Sequence, residues 1–224
     1  GLSILEKVQG QWRFRNTIGG FNISSRFFEM ESLEVVVDHE KKGLYFIELD
    51  SNLRKVNKLT NKERLGHSSN IFSFQDELYY KTNVGIYEIN GINDIQLDST
   101  LTQMVFNGNK GQTSIIIPEN SEKRLWFFTN HGIQYVTQST LSNKLSTTKI
   151  SIPKDIRSNL GVSGFENISK ISDYKYVMGS SNGYVSLDLT KVSPSSQEVH
   201  INSVYFGDYQ ELPSRASMVE KGEF

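Results

Sequence analysis

The sequence predicts an all-β chain: a β-propeller fragment of about four and a half four-stranded blades, plus the first strand of a following β-sandwich domain. Three observations carry that prediction. One phrase, a glycine followed by an apolar residue and by another three positions further on, occurs five times, at Gly1-Leu2-Ser3-Ile4-Leu5, Gly43-Leu44-Tyr45-Phe46-Ile47, Gly85-Ile86-Tyr87-Glu88-Ile89, Gly132-Ile133-Gln134-Tyr135-Val136 and Gly183-Tyr184-Val185-Ser186-Leu187. The glycines are 42, 42, 47 and 51 residues apart, which is the period of propeller blades. Ahead of the last four glycines stands a second strand-like run, joined to the phrase by a short polar turn, and such pairs are hairpins.

Residues 1–17 read as the second half of a blade, with an outer strand at 11–16. The first full blade spans 20–60, with an inner strand at 26–30, a hairpin from 33–37 through the turn 38–42 to Gly43, and an outer strand at 53–59. In the second, 66–100, these become 70–74, 78–82 through Asn83-Val84 to Gly85, and 94–97. The third, 110–152, has 113–117, 125–129 through Asn130-His131 to Gly132, and 147–152. The fourth, 165–190, has 168–171 and 176–180 through Ser181-Asn182 to Gly183. Each turn glycine is expected to supply a positive φ.

The run Leu125-Trp126-Phe127-Phe128 is apolar without alternation. Such a strand is buried on both faces, as a blade between two neighbours must be. The two apolar residues of each glycine phrase lie three apart, which implies either the same double burial or a bulge. The stretch 153–164 has room for one helical turn around 154–160, and no other helix is expected. After Lys191 the texture changes. Ser193-Pro194-Ser195-Ser196 is a linker-like break, residues 199–206 open a fresh alternating strand, and 207–224 is polar. The reading therefore assigns 1–192 to propeller blades and 197–224 to the start of a second domain. Gly1 falls inside a repeat phrase, so the sequence reads as part of a longer chain.

Bulk properties exclude several function classes. Hydrophobic residues make up 37% and charged residues 22%, and ten Tyr and thirteen Phe against four Pro favour strands over disorder. A net charge of −1 gives no general attraction to nucleic acid or to an anionic membrane. The densest basic group, Arg54, Lys55, Lys58, Lys62 and Arg64, is interleaved with Glu63 and apolar positions and reads as solvated strand and loop. With no cysteine there is no disulfide, thiolate site or cysteine nucleophile. No apolar run reaches the length of a membrane span.

Candidate chemistry is sparse. His39, His67, His131 and His200 lack a partner at a recognised metal spacing, so neither metal nor other cofactor is expected. Gly161-Val162-Ser163-Gly164 has no strand-turn-helix around it to make a nucleophile elbow, and Gly108-Asn109-Lys110-Gly111 is a hairpin turn rather than a phosphate loop. Asp76 and Glu77 are adjacent on a strand end and point oppositely. Nothing assembles a nucleophile, a base and an orienter. Trp126 could stack on a ligand, but its place in an apolar run puts it in a blade core, and Trp12 on an outer strand reads as partly exposed packing.

Leu125-Trp126-Phe127-Phe128-Thr129-x-x-Gly132-Ile133 resembles the repeat of the two-component regulator propeller family, Leu-Trp-Ile-Gly-Thr-x-x-Gly-Leu. Tyr176-Val177-Met178-Gly179-Ser180-x-x-Gly183-Tyr184 is similar, and Leu78-Tyr79-Tyr80-Lys81-Thr82-x-x-Gly85-Ile86 keeps the frame with Tyr for Trp, whereas the first full blade has a longer turn before Gly43. The resemblance covers residues 1–206. It implies a non-catalytic, periplasmic ligand-sensing region of a bacterial membrane signalling protein or transcription regulator, followed by an immunoglobulin-like triple-tyrosine domain. Its output would be a histidine kinase or a helix-turn-helix domain. Rival readings are a scaffold for protein association and a glycan-active propeller enzyme; the inner-strand segments offer the enzyme almost no paired carboxylates or histidine clusters.

In propellers the turns between the second and third strands share one face with the loops between blades. Here that face carries His39, Lys41, Lys42, Asn83, Asn130, His131, Ser181 and Asn182, and it is the expected ligand-binding face for a small molecule, a glycan or a protein. The opposite rim carries Asp76, Glu122 and Asp173. About four and a half blades fall short of a closed ring, leaving a flat apolar face at each end. At about 25 cal/mol per Å², exposing a few hundred Å² at each would cost on the order of 10 kcal/mol. Self-association through the open ends, or the 197–206 strand laid across an edge, is therefore expected.

Overall fold

The computed structural model describes residues 1–25, 27–106, 114–129, 132–139, 144–160 and 164–192, with the backbone of 205–206 and 210–211. The chain divides into two compact units, Gly1–Val192 and Ser193–Phe224. The first is all-β apart from short helices and forms small antiparallel sheets arranged as the blades of a propeller.

Strands β1 (Ser3–Val8) and β2 (Gln11–Thr17) form a two-stranded half-blade. Three complete blades follow, each a four-stranded meander in sequence order. The first holds β3 (Phe27–Glu31), β4 (Glu34–His39), β5 (Gly43–Leu49) and β6 (Val56–Lys62). The second holds β7 (Asn70–Phe74), β8 (Glu77–Lys81), β9 (Ile86–Gly91) and β10 (Asp94–Leu97). The third holds β11 (Ile116–Glu119), β12 (Arg124–Thr129), β13 (Gly132–Gln138) and β14 (Leu145–Ser151).

The fourth sheet differs from expectation. Only β15 (Ser169–Ser172), β16 (Lys175–Ser180) and β17 (Gly183–Asp188) are present among the described residues. Where an outer strand would start, the Asp188 carboxylate accepts the Thr190 amide at 3.0 Å and begins a 3-10 turn over Leu189–Lys191. This side-chain cap offers the backbone an alternative to a further hairpin.

The spacing of the glycine phrase is explained by burial on both faces. The residue after the glycine faces the following blade: Leu44, Ile86 and Ile133 lie in the three interfaces between successive blades and are fully buried. The residue four after the glycine faces the preceding blade, as Ile47, Ile89 and Val136 do. Strand alternation forces this, because positions an odd distance apart lie on opposite faces. Four apolar clusters result. They join the half-blade to the first blade, the first to the second, the second to the third, and the third to the fourth.

Gly43 and Gly132 show why the phrase begins with glycine. A Cβ would stand 2.2 Å from the Lys62 carbonyl oxygen at Gly43 and 2.2 Å from the Ile150 carbonyl oxygen at Gly132, both on the neighbouring outer strand. Their φ values, +87° and +153°, also lie in the region where L side chains are strained. Gly85 departs from the expected positive φ, since it is not among the positive-φ glycines. There a Cβ would press the Leu97 side chain instead.

The helical turn expected near 154–160 is α2 (Lys154–Arg157). The sequence reading missed a longer helix, α1 (Ser99–Phe106), on the connection between the second and third blades. It starts where Asp98 caps it, the carboxylate accepting the Leu101 amide at 2.8 Å. Leu101, Val105 and Phe106 are buried between the two sheets with Phe72, Ile86, Leu125 and Phe127. The helix fills space that blade strands alone leave open.

In the second unit the described backbone is a short antiparallel pair, β18 (Tyr205–Phe206) and β19 (Gln210–Glu211). The linker at 193–196 and most of the strand expected at 199–206 lie outside the described residues, as do His200, the Gly108–Gly111 turn and residues 161–163.

Candidate functional site

The expected ligand-binding face is built from the turns between second and third strands and from the loops that enter each blade. In the first blade the Ser25 hydroxyl, on the entering loop, donates to the Asp38 carbonyl. In the second, the amide of Asn83 donates to the His67 carbonyl at 2.8 Å, and the Asn83 side-chain oxygen accepts the His67 amide at 2.8 Å. In the third, the Ser114 amide donates to the Phe128 carbonyl at 3.2 Å. In the fourth, the amide of Ser181 donates to the Asn159 carbonyl at 2.8 Å and its hydroxyl to the Asn159 side-chain oxygen at 3.1 Å. In the second and fourth blades a turn residue is thus fastened to the entering loop, while in the first and third the entering loop bonds to the end of the second strand.

Of the residues expected on this face, Lys41, Lys42, Ser181 and Asn182 are exposed and His39 and Asn83 half-buried. His39 accepts the amides of Lys41 and Lys42 on Nδ1 at 3.1 and 3.2 Å, so its ring shapes its own turn. Asn83 is joined to the entering loop of its blade, and Ser181 likewise, as described above. Asn130 and His131 lie outside the described residues.

Beneath the face is a buried polar group that the sequence reading did not single out: Asp38, Ser69, Asn70, Lys81 and Thr82. The Ser69 hydroxyl donates to Asp38 Oδ1 at 3.0 Å, across the boundary of the first and second blades. Asn70, at the start of inner strand β7, donates to the Ile116 carbonyl and accepts the Ile116 amide, both at 3.1 Å, and so ties together the inner strands of the second and third blades. Lys81 Nζ donates to the Ser68 carbonyl at 2.9 Å. Burial lowers the Lys81 pKa to about 8, because the charged ammonium has lost its water, while the Glu166 and Asp38 carboxylates oppose the shift. Tyr80 is pushed up to about 12, first by burial and then by the Asp38 charge.

A signal for this group existed. When the blades are aligned on the pairing of the turn, Asp38, Lys81, Phe128 and Gly179 hold one equivalent position, each one residue before the partner of the turn glycine or its equivalent. Two adjacent blades place opposite charges in a column that is otherwise apolar or glycine. The threonine of the repeat has a simpler role: Thr82 and Thr129 hydroxyls donate to the carbonyls of Gly85 and Gly132 at 3.3 and 3.2 Å and close the turn.

Near the opposite rim lies a second network, between the third and fourth blades. Trp126 is a core residue, as expected, and its ring lies 4.7 Å from that of Tyr135 and 4.9 Å from that of Tyr176. Its indole N–H donates to Glu119 at 2.8 Å, and the Tyr176 hydroxyl donates to the same carboxylate at 3.0 Å. Arg124 lies 3.9 Å from Glu119 and 3.8 Å from Glu122, and Lys170 pairs with Glu122 and with Asp173. The Lys170 ammonium holds the Glu122 carboxyl below its ordinary pKa. Arg124, Lys170, Glu119, Glu122 and Asp173 are therefore engaged with one another. Among the described residues, no group of three or more His, Asp or Glu side chains could hold a metal ion.

No protein-family model matches the chain, and no curated protein matches it. Among solved structures it is similar to the extracellular domain of the putative one component system BT4673 from B. thetaiotaomicron, with a TM-score of 0.45 and 11% identity. The match covers 75% of this chain and 22% of that one, so the chain spans about a fifth of the length of that protein's domain. No helix among the described residues is long and apolar enough to cross a membrane.

Proposed function

We propose that the propeller unit is the ligand-sensing part of a bacterial signalling protein, working outside the cytoplasm and by binding rather than by catalysis. The observation that carries this reading is the fastening of turn to entering loop in the second and fourth blades, where Asn83 and Ser181 bond to His67 and Asn159. A surface held in this way is preorganised, so a ligand that meets it loses little to ordering the protein. Support also comes from the blade phrases ending at Gly85, Gly132 and Gly183, which resemble the repeat of periplasmic sensor propellers. A histidine kinase or a DNA-binding domain would be the output of such a protein. The binding residues would be the exposed Lys41, Lys42, Ser181 and Asn182 and the half-buried His39 and Asn83 around the turns, with Asn130 and His131 from the turn of the third blade.

The test is a thermal-shift screen of oligosaccharides and short peptides, followed by hydrogen exchange with any compound that raises Tm. Protection at the turns around 39–42, 83–84 and 181–182, weakened by Asn83→Ala or Asn182→Ala, is the expected result. Protection confined to the rim around Glu122 and Asp173 would overturn the choice of face.

A further inference from the structure

In the turns that close the four hairpins, the residue before the glycine is Lys42, Val84, His131 or Asn182. Only the last makes an Asn-Gly pair. The side-chain amide carbon of an asparagine can meet the backbone nitrogen of the next residue, and a glycine there has no Cβ to block the approach. A second such pair, Asn90-Gly91, ends β9, and a third, Asn107-Gly108, lies outside the described residues. The structure separates the two described pairs. Asn182 is exposed, and its side chain takes part in no hydrogen bond among the described residues, although its neighbour Ser181 is tied to Asn159. Nothing stands within 4 Å of a Cβ built on Gly183, so the space that a ring would fill is open. Gly91 is equally uncrowded, and the ladder makes the difference. Asn182 precedes the closing pair of its hairpin, Ser180 opposite Gly183. Asn90 is enclosed, with Ile89 opposite Ile95 on one side and Gly91 opposite Asp94 on the other. Ring closure at Asn90 needs a local opening of the sheet; at Asn182 it needs only the tip of a turn to shift.

We propose that Asn182-Gly183 is a site of spontaneous deamidation, through which the proposed binding face gains a carboxylate. The Gly183 backbone nitrogen attacks the Asn182 side-chain carbon and closes a cyclic imide. The proton lost by the backbone nitrogen leaves with the side-chain nitrogen as ammonia. Water then opens the ring at either carbonyl. One opening leaves aspartate; the other leaves isoaspartate, in which the main chain runs through the former side chain and is one carbon longer. No electrons are exchanged, and the balance is one water taken up and one ammonia released. Either product puts a negative charge beside Ser181, and the isoaspartate also lengthens the two-residue loop between Ser180 and Gly183. The chemistry needs no ligand, so it stands or falls separately from the sensing role.

Mass spectrometry of digests, taken after the folded full chain has stood in mildly alkaline buffer, tests it. The peptides carrying Asn90 and Asn182 are followed for conversion of amide to acid, and enzymatic methylation identifies isoaspartate. The expected result is conversion at Asn182 about tenfold or more faster than at Asn90. In urea the two rates should converge, because the ladder around Asn90 is gone. Asn182→Gln and Gly183→Ala should each slow conversion at this turn by about tenfold or more, the first by lengthening the side chain and the second by shielding the nitrogen. Circular dichroism confirms folding, and Asn182→Gln keeps the test open should Gly183→Ala, at a φ of +139°, fail to fold. An Asn182 that stays an amide in the folded chain, or converts no faster than Asn90, would overturn the inference. So would a difference that persists unchanged in urea, since local sequence and not the fold would then set it.

Discussion

At Gly132 the backbone of β13 and the Ile150 carbonyl on β14 approach so closely that no side chain fits. Gly132→Ala should cost about 2 kcal/mol or more, since it adds both a backbone clash and a strained φ. Gly10 makes the comparison clean. Its φ is +82°, but nothing lies within 4 Å of an added Cβ, so Gly10→Ala should lose only about 1 kcal/mol of conformational preference. Urea denaturation of the two variants separates the contributions. Lys81 offers a test by pH. Its pKa is about 8 when folded and 10.5 in the unfolded chain, so between those values the unfolded state binds the extra proton and stability rises with pH. Relative to Lys81→Met, the wild type should gain on the order of 2 kcal/mol as pH goes from about 8 to about 10.5. Tyr79 and Tyr80 act in the opposite sense. Both are pushed up to about 12, so their contribution is intact below pH 10 and is lost as pH rises through 12.

Helix α1 joins two blades and also helps hold them together. Asp98→Ala removes the cap on the Leu101 amide and should cost about 1 kcal/mol. Leu101→Ala opens a cavity between the second and third sheets and should cost about 2–5 kcal/mol. Thermal unfolding followed by circular dichroism would rank the two; a smaller loss for Leu101→Ala would mean that the helix does not carry that interface. The elements show what could be read from sequence. Strands β7 and β10 match the sequence reading residue for residue, because polar turn residues bound them on both sides. Helix α1 was missed although Asp98 followed by apolar Leu101, Met104 and Val105 has helical spacing, since an eight-residue helix is short against a strand period that dominates the chain. That no outer strand of the fourth sheet stands among the described residues is not legible in the sequence, because a hydrogen bond from Thr190 to Asp188 leaves no pattern longer than three residues. The buried polar group was hidden for another reason. Asp38 and Lys81 look like ordinary strand-end charges until their blades are superimposed.

For the whole propeller unit, every apolar cluster joins sheets adjacent in sequence, and every complete sheet is a meander of consecutive strands. Stability should then behave as a sum of blade and nearest-neighbour contributions. Native-state hydrogen exchange should find the slowest amides in the second and third blades, around Tyr80 and Phe127, and faster ones in β1–β2 and β15–β17. Uniform protection across all sheets would contradict that. The meander has a mechanical consequence as well. A chain drawn from its two ends meets no strand threaded through a distant sheet, so a blade can be peeled away without disturbing those beyond its neighbour. Under tension the unit should lengthen in discrete steps. With glycines 42 residues apart between the first blades, each step would release about 150 Å of chain, a length set by the repeat that opens the sequence.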